Sequence, residues 1–181
     1  MTAGTGVAVR RATAADLETV IALRVALLRE YRDHPVYGRL RLDAETRARP
    51  VFASQLASPH EAIFLAEAGR DAVGLLRCVD VVGAPMLDPE RYCYVSSVYV
   101  RPEHRRRGIL RHMLEFAEAW CRERGLTEMR LHNVDTSEAA VGTWDALGFA
   151  VVEQVRVLRF DDLAMHHADG EGDGHRHSAR S

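Results

Sequence analysis

Apolar residues recur with a helical period in the first third of the chain. Residues 7–11 alternate apolar and polar side chains, which predicts a first strand. A capping-box motif at residues 13–16 precedes apolar positions spaced by three and four residues, so we predict an amphipathic helix that ends near Tyr31. Residues 33–38 break the pattern, and a second helix is predicted over residues 43–57.

Alternation by two replaces the helical period in the middle of the chain. Residues 62–67 and 72–82 flank a glycine-containing turn at residues 69–71, which is the pattern of a β-hairpin. Residues 91–100 are rich in aromatic and β-branched side chains and end before Pro102, so they predict another strand. The three strands form an antiparallel meander in the predicted fold.

The last part of the chain alternates helix and strand. In order, it predicts a helix closed by Gly125, a short strand at residues 129–133, a helix capped by Thr136 or Ser137 and closed by Gly148, and one or two strands within residues 149–160. The element order β-α-α-β-β-β-α-β-α-β assigns the chain to the α/β (α+β) class.

Length and composition favour one domain. The chain has 181 residues, of which 47% are hydrophobic and 28% charged, the proportions of a soluble globular protein. Apolar periodicity is lost from residue 161, so we predict a domain over residues 1–163 and a disordered His/Gly/Asp-rich tail over residues 164–181. The histidines of this tail are a weak metal signal, and we expect no bound metal.

Three features predict a cytoplasmic protein that does not bind membranes. No apolar run reaches the roughly 20 residues that a membrane span needs. The N-terminal residues lack the apolar core of a secretory signal. Finally, Cys78, Cys93 and Cys121 match neither a disulfide framework nor a zinc pattern, so we expect reduced thiols.

The basic residues are all arginine: 24 of them stand against 26 acidic residues, for a net charge of −2. Without lysine, the chain cannot carry a P-loop lysine, a Schiff-base lysine or a kinase-type ATP lysine. The net charge, and the lack of a second basic patch interleaved with aromatic residues, argue against nucleic acid as a partner.

Candidate chemistry is concentrated in residues 98–111, with the sequence VYVRPEHRRRGILR. A strand is predicted to end at Val100 and a helix to begin at about Gly108. The unpaired N–H groups and the positive dipole end of such a helix form an anion site. Arginines that suit a phosphate lie beside it, namely Arg105, Arg106, Arg107 and Arg111. The pattern predicts pyrophosphate recognition, and a solvated or nucleic-acid-binding arginine cluster is the alternative.

The stretch from Val100 to Gly108 resembles the acyl-CoA signature of the GCN5-related N-acetyltransferase (GNAT) superfamily, Arg/Gln-x-x-Gly-x-Gly/Ala after a strand. The segment from Asn133 to Phe149 resembles the later family motif, an Asn at a strand end and then a helix closing in Leu-Gly-Phe. The resemblance covers residues 7–160. It implies a single-domain GNAT fold, a mixed and mostly antiparallel sheet with helices on both faces and a splayed pair of central strands.

The resemblance also implies acetyl-CoA as co-substrate. Its implied binding residues are Val98, Tyr99, Val100, Arg105, Arg106, Arg107, Gly108, Ile109, Leu110, Arg111 and Asn133. Backbone groups of Val98 and Val100 would hold the pantetheine arm and polarise the thioester carbonyl, and amides from Arg106 to Leu110 would hold the pyrophosphate. Leu110 departs from the motif, which has Gly or Ala there. Its side chain must turn into the core, or the phosphate must lie slightly outward.

The chemistry implied by the resemblance is direct attack of an amine on the acetyl thioester. Trp144, Asn133 and Ser97 are the candidate catalytic residues. Many family members have Tyr at the position of Trp144 and use its hydroxyl to protonate the leaving thiolate, whereas an indole N–H only donates a hydrogen bond. Tyr99 or His132 could substitute as the acid. Packing for Trp144 and a turn role for Asn133 are the alternatives.

The acceptor pocket wall in the family comes from the first two helices and their connection. Glu30, Tyr31, His34 and Tyr37 are therefore the candidate substrate-binding residues. The charged groups could hold or deprotonate an ammonium group, and the tyrosines could stack on a ring or cation. Surface charge or packing is the alternative for each. Serine is no base, so near Ser96 and Ser97 deprotonation could proceed through water.

The predicted function is an acetyl-CoA-dependent N-acetyltransferase acting on a primary amine, which we expect on a small molecule. One alternative is acetylation of a protein lysine or N-terminus. Another is a non-catalytic acyl-CoA-binding module, motivated by Trp144 and Leu110. A homodimer is left open.

Overall fold

A computed structural model of the protein describes residues 6–134 and 137–157, and the chain divides into two compact units, Met1–Val141 and Gly142–Ser181. The described strands are β1 (Val7–Arg11), β2 (Glu61–Ala68), β3 (Asp71–Val82), β4 (Arg91–Val100) and β5 (Met129–Leu131). The described helices are α1 (Leu17–Glu30), α2 (Ala44–Ala57), α3 (Ile109–Glu123) and α4 (Glu138–Ala146).

The five strands form one sheet in the order β1-β2-β3-β4-β5. Neighbouring strands from β1 to β4 are antiparallel, whereas β5 runs parallel to β4. The parallel pair requires a crossover connection, which α3 supplies between β4 and β5. The predicted mixed and mostly antiparallel sheet is confirmed.

Helices cover both faces of the sheet. On one face, α1 and α2 pack with Ile63, Leu65 and Leu75 in a common core cluster. On the other face lies α3, and Gly74 of β3 gives it a close approach. A Cβ at Gly74 would stand 3.2 Å from the sulfur of Met113.

The apolar face of α1 holds the helix on the sheet. Its buried residues are Val20, Ile21, Leu23, Val25 and Leu27. Burying side chains of this size contributes about 1.5–3 kcal/mol each before the entropy of ordering is subtracted. The spacing of these residues, read from the sequence, is therefore sufficient to place the helix.

An ionic network fixes the chain where β1 leads into α1. The Arg10 guanidinium donates to both oxygens of Asp16, at 2.7 and 2.9 Å, and to Glu67 of β2. The Thr13 N–H donates to the same Asp16 carboxylate at 2.7 Å, which confirms the capping box. The hydrogen bonds from Arg10 hold the pKa of Asp16 well below its usual range, because they favour the charged form.

The three cysteines are unbridged and buried. The side chain of Cys121 lowers the pKa of Cys93, but the side chain of Cys78 and burial outweigh this effect and raise that pKa to about 12. The neighbouring Cys93 and burial also raise the pKa of Cys121, so the thiols of Cys93 and Cys121 are protonated and unreactive near neutral pH.

The ends of the predicted elements agree with the structure to within a few residues, with one exception. Residues 149–157 contain no strand, and residues 158–160 of the predicted segment lie outside the described part of the chain. Val151, Val155 and Val157 alternate as in a strand but are 74%, 71% and 56% exposed. Alternation makes a strand only where a neighbour completes its hydrogen bonds, and no described strand pairs with this segment.

The predicted tail, residues 164–181, also lies outside the described residues. Among the residues that the structure does describe, no helix has the length and apolar character to cross a membrane. The same residues contain no group of three or more His, Cys, Asp and Glu side chains that could hold a metal.

Candidate functional site

The pairing of β4 with β5 is short, and it leaves an opening between these two strands. Only residues 93–95 pair with residues 129–131 in the described chain, although β4 continues to Val100. On the other side, β3 pairs Arg77 with Ser96 and Leu75 with Tyr99, so two residues of β4 oppose one of β3. This is a β-bulge, and a bulge bends its strand. The short pairing of β4 with its parallel neighbour β5 confirms the predicted splay of these strands.

The bulge places Ser97 in the left-handed region, with φ +52. Apart from glycines, Ser97 and Arg106 (φ +59) are the only described residues with positive φ. Ser97 is a predicted catalytic residue, and Arg106 is a predicted acetyl-CoA-binding residue. Such conformations are costly for residues with a Cβ and concentrate at functional sites.

The open edge of β4 carries backbone groups that face away from β3. The Arg101 N–H donates to the Val73 carbonyl oxygen of β3 at 2.8 Å. Because peptide groups alternate along a strand, those of Val98 and Val100 face the opening between β4 and β5. The Val100 oxygen already accepts a hydrogen bond from Arg105 Nε at 2.8 Å.

Tyr99 faces the opposite way from its two neighbours. Its backbone pairs with Leu75, and its ring is 6% exposed in the core beneath α1. Burial raises the pKa of its hydroxyl, and the negative charge of Glu30 adds to the increase. The structure thus places Tyr99 in the wall of the site and leaves the open edge to Val98 and Val100.

The turn that precedes α3 has a backbone conformation that is suited to binding an anion. Arg106 and Gly108 both have left-handed conformations, with φ +59 and +76, directly before the first residue of α3. Alternation between left- and right-handed residues turns successive N–H groups into one concave surface. The free N–H groups and dipole of a 15-residue helix add to it.

The arginines of this turn divide into two groups. Arg105 is held by Glu30 and by Val100. Arg106 and Arg107 are exposed and make no hydrogen bond or ion pair with any other described residue. Arg111 is exposed on the first turn of α3. Arg106 and Arg107 are therefore the side chains most available to a phosphate.

The two residues that begin α3 differ in burial. Ile109 is 2% exposed and anchors the helix in the core, whereas Leu110 is half-buried. Part of the Leu110 side chain is therefore turned toward the core. This is one of the two arrangements expected for a leucine at a position where the motif has Gly or Ala.

The predicted acceptor residues of the α1–α2 connection form an aromatic cluster. The ring centroids of Tyr31, His34 and Tyr37 lie 4.9 to 6.4 Å apart. His34 Nδ1 accepts the N–H groups of Val36 and Tyr37 at 3.1 Å, so His34 stabilises the turn. Gly38 closes it, since a Cβ there would lie within 2.8 Å of backbone oxygens of Arg32 and His34.

Glu30, the other predicted acceptor residue, is engaged by Arg105. Nη2 of Arg105 donates to both carboxylate oxygens at 2.7 Å. The structure therefore brings a predicted acceptor residue and a predicted cofactor residue into one ion pair, which the sequence did not indicate.

Sequence reasoning missed a second polar cluster, formed by Arg24 of α1 with Arg77 and Tyr94 of the sheet. Tyr94 Oη lies 3.1 Å from Nδ1 of His132, the residue that follows β5. Burial raises the pKa of Tyr94, so its hydroxyl stays protonated at neutral pH. The available signal was the interruption of two apolar stretches, at Arg24 between Leu23 and Val25 and at Arg77 between Leu76 and Cys78.

Asn133 and Trp144 belong to different units of the chain. Asn133 is exposed in the connection after β5. In the second unit, the half-buried Trp144 ring contacts Phe149 edge to face, with centroids 5.4 Å apart, and the Phe149 N–H donates to the Trp144 carbonyl oxygen at 3.0 Å. The Leu-Gly-Phe segment thus folds back on Trp144.

Solved structures share this fold. A predicted acetyltransferase from Clostridium acetobutylicum, solved with acetyl-CoA, superposes with a TM-score of 0.70 at 18% identity, over 86% of this chain and 97% of that one. An aminoglycoside antibiotic 6'-N-acetyltransferase from Acinetobacter haemolyticus superposes with a TM-score of 0.66 at 20% identity, over 84% of this chain and 97% of that one.

Sequence comparison agrees with the fold. An aminoglycoside N(6')-acetyltransferase type 1 from Klebsiella aerogenes is 37% identical over 73 residues, which are 37% of this chain and 48% of that protein. The match spans about half the length of that relative. A model of the acetyltransferase (GNAT) family matches residues 22–149, which contain both predicted motifs. The chain therefore belongs to the GNAT acetyltransferase family, whose enzymes use acetyl-CoA as co-substrate.

Proposed function

We propose that the protein transfers an acetyl group from acetyl-CoA to a primary amine of a small molecule, by direct attack within a ternary complex. One observation carries this proposal. The open edge of β4, bent at Ser97, is followed by a short 3-10 helix at Pro102–His104 and then by the turn before α3, in which Arg106 and Gly108 have left-handed conformations. An extended thiol arm followed by a pyrophosphate fits this sequence of backbone groups.

The chain's own residues suit acetyl-CoA along this path. Peptide groups of Val98 and Val100 would pair with the pantetheine amides as an added strand does. The N–H groups of the turn and of the first residues of α3 would hold the pyrophosphate. Arg106 and Arg107 would add charge-assisted hydrogen bonds from the solvent side.

Acetyl-CoA supplies an activated acyl group, and the protein supplies position and polar stabilisation. The Val98 N–H faces the opening, where it would donate to the thioester oxygen as negative charge develops there. Holding the amine against the thioester removes the entropic cost of an encounter. Ser97 and Asn133 remain candidates for positioning the reacting groups, and Trp144 for a hydrogen bond to the leaving sulfur, on the motifs alone.

Deprotonation of the attacking ammonium group requires a base. The Tyr94–His132 pair, with its 3.1 Å separation, is the described pair beside β5 that could pass a proton to solvent. Imidazole is the usual group for this task near neutral pH. We assign His132 this role within the proposed mechanism, in place of the acid role considered from the sequence.

A small-molecule acceptor is supported by the names of the related proteins. Both the Klebsiella aerogenes relative and the Acinetobacter haemolyticus structure are aminoglycoside acetyltransferases. Another solved structure with a TM-score of 0.65 holds a bisubstrate analogue, CoA-S-monomethyl-acetylneamine. In that compound the CoA sulfur is linked to an amine-bearing small molecule, which is the arrangement that direct attack requires.

The proposal is tested by release of free thiol from acetyl-CoA in the presence of single amines and of peptides with a lysine or a free N-terminus. We expect turnover with at least one small primary amine. Turnover with peptides alone would assign the protein to protein acetylation. Calorimetric CoA binding with no turnover on any amine would identify an acyl-CoA-binding module.

A further inference from the structure

Helix α1 carries an arginine that pairs with no carboxylate of the described residues. Arg24 is half-buried between the buried Leu23 and Val25. Across residues 6–134 and 137–157, it makes no hydrogen bond or ion pair. A guanidinium stays protonated in proteins, so a partly desolvated positive charge is left uncompensated. Such a charge is unfavourable unless an anion joins it.

We give the name Arg24 cluster to five residues: Arg24, Tyr31, Tyr37, Arg77 and Tyr94. Tyr31 follows Arg24 by about two helical turns, and its ring centroid lies 6.4 Å from that of Tyr37. Arg24 interacts electrostatically with each of the other four. Arg77 and Tyr94 lie on the face of the sheet that α1 covers. Leu75, two residues before Arg77 on β3, packs in the core cluster with α1, and alternate residues of a strand share a face. Tyr94 of β4 pairs with Val79 of β3, which lies on that same face.

The Arg24 cluster is positively charged. Arg77 is neutralised by Glu61, whose Oε2 accepts from Nε at 2.7 Å, while Nη1 donates to Ser96 Oγ at 3.2 Å. Glu30 is bound by Arg105 and is not available to Arg24. The guanidinium of Arg24 is therefore the charge that no described carboxylate neutralises.

The cluster adjoins the place where acetyl transfer is proposed. Ser96, which Arg77 holds, directly precedes the bulge at Ser97 and the open edge at Val98. Tyr94 reaches His132 on the β5 side, and Tyr31 and Tyr37 approach from the α1–α2 connection. The cluster therefore lies on the α1 side of the strand that carries the open edge.

Resting on the proposed function, we propose that the Arg24 cluster binds a carboxylate of the acceptor, so the acceptor is a small amine that also carries a carboxylate group. The planar guanidinium fork matches a carboxylate with two parallel hydrogen bonds. The hydroxyl of Tyr37 can donate to one of its remaining lone pairs. An acceptor with several ammonium groups and no anion, such as an aminoglycoside, would instead be repelled by Arg24.

The test compares amines that differ only in the carboxylate: lysine with pentane-1,5-diamine, and phenylalanine with phenethylamine. Thiol release at saturating acetyl-CoA gives kcat and KM for each. The variants are Arg24→Met, which keeps the length and removes the charge, and Arg24→Lys, which keeps the charge and removes the fork. Arg29→Met is the matched control on the same helix, because Arg29 is 69% exposed.

We expect the native protein to favour the carboxylated member of a pair by at least about tenfold in kcat/KM, the lower end for a hydrogen bond to a charged group. Arg24→Met should abolish this preference through KM, with KM for acetyl-CoA unchanged. Arg24→Lys should keep part of the preference and Arg29→Met all of it. The Tm of Arg24→Met should not fall, because the substitution removes an uncompensated charge.

The opposite results overturn the inference. One such result is that the native protein has equal kcat/KM for the two amines of a pair, or a higher value for the amine without the carboxylate. The other is that Arg24→Met keeps the preference for the carboxylated amine. Calorimetry of the same pairs on the CoA complex, which has no acetyl group to transfer, separates the two proposals. If no amine is acetylated but carboxylated amines bind tighter only when Arg24 is present, the catalytic proposal fails and the subsite stands. No difference in binding overturns the subsite.

Discussion

Arg105 and Glu30 hold one another across the candidate site, through hydrogen bonds of 2.7 Å from Nη2 to both carboxylate oxygens. The same guanidinium donates through Nε to the carbonyl oxygen of Val100, the last residue of β4. The C-terminal end of α1 is thereby tied to the strand end where the cofactor turn begins. A change on the acceptor side can reach the cofactor side through this contact.

Replacing Glu30 by Gln should strengthen CoA binding a few-fold. Without the carboxylate, the Arg105 charge adds fully to the field around the turn, and at partly exposed sites such a charge is worth up to about 1 kcal/mol. The pKa of Tyr99 should fall, because the negative charge of Glu30 is one of the causes that raise it. Calorimetric titration with CoA measures the affinity, and an ultraviolet pH titration follows the phenol.

Glu118→Gln is the matched control for that variant, since it also removes one negative charge and one exposed ion pair, with Arg122 on α3. It should leave both quantities unchanged. Weaker CoA binding in Glu30→Gln alone would mean that Glu30 positions Arg105 for the cofactor.

Gly108→Glu should abolish detectable CoA binding while the protein remains folded. The new side chain would bring a negative charge to the turn before α3, where the pyrophosphate is proposed to bind. Gly69→Glu is the control, because Gly69 has a similar φ of +65 and open space around it in the β2–β3 turn. Equal CoA affinity in both folded variants would refute the assignment of the site.

Gly38→Ala should destabilise the protein and raise KM for the amine more than KM for acetyl-CoA. A Cβ at Gly38 would collide with backbone oxygens of the turn that presents Tyr31 and Tyr37. Relieving such an overlap by backbone shifts costs about 1–3 kcal/mol. Gly142→Ala on α4, with nothing within 4 Å of its new Cβ, should be neutral or stabilising. Thermal unfolding and initial rates distinguish the two, and an unchanged amine KM in Gly38→Ala would separate this turn from the acceptor site.

Acid should destabilise the protein in part through Asp16. Its pKa is lowered in the folded state by hydrogen bonds from Arg10, so its contribution is complete above the ordinary value of 3.8 and is lost as the pH falls below it. Asp16→Asn should lower the free energy of unfolding by about 1–2 kcal/mol at pH 7 and by less at pH 3. Asp33→Asn is the control, since Asp33 is 94% exposed. Urea unfolding at both pH values checks the difference, and a loss that stays constant between them would contradict the ionic cause.

Trp144→Phe should lower turnover by no more than about 10- to 150-fold, the effect of one hydrogen bond of 1.5–3 kcal/mol to a forming thiolate. The substitution keeps a ring to contact Phe149. Trp144→Tyr should match or exceed the native rate, because its hydroxyl can act as an acid. The pH–rate profiles of both variants are compared with that of the native protein. A loss of several thousand-fold in Trp144→Phe, with CoA affinity intact, would show an essential role that a single hydrogen bond does not explain.

The sequence could predict the helices and strands because each buries its own apolar face. The spacing of Val20, Leu23 and Leu27 defines α1 whatever it packs against, and the aromatic and β-branched run of β4 behaves in the same way. The segment after Phe149 shows where this reasoning fails. Its valines alternate as in a strand, yet a strand also needs a neighbour, and that requirement cannot be read from the segment itself.

For the candidate site, the sequence by itself determined the family and the position of the predicted anion-binding turn, because a strand end, an arginine run and Gly108 are contiguous. Only the tertiary structure decided which charges are free. Arg105 is occupied by Glu30, 75 positions away, whereas Arg106 and Arg107 are open to solvent. Within the described part of the chain Arg24 has no carboxylate partner, whereas Arg77 is paired with Glu61. Ion pairs of this kind depend on distances between side chains that folding brings together, and nothing in the local sequence specifies them.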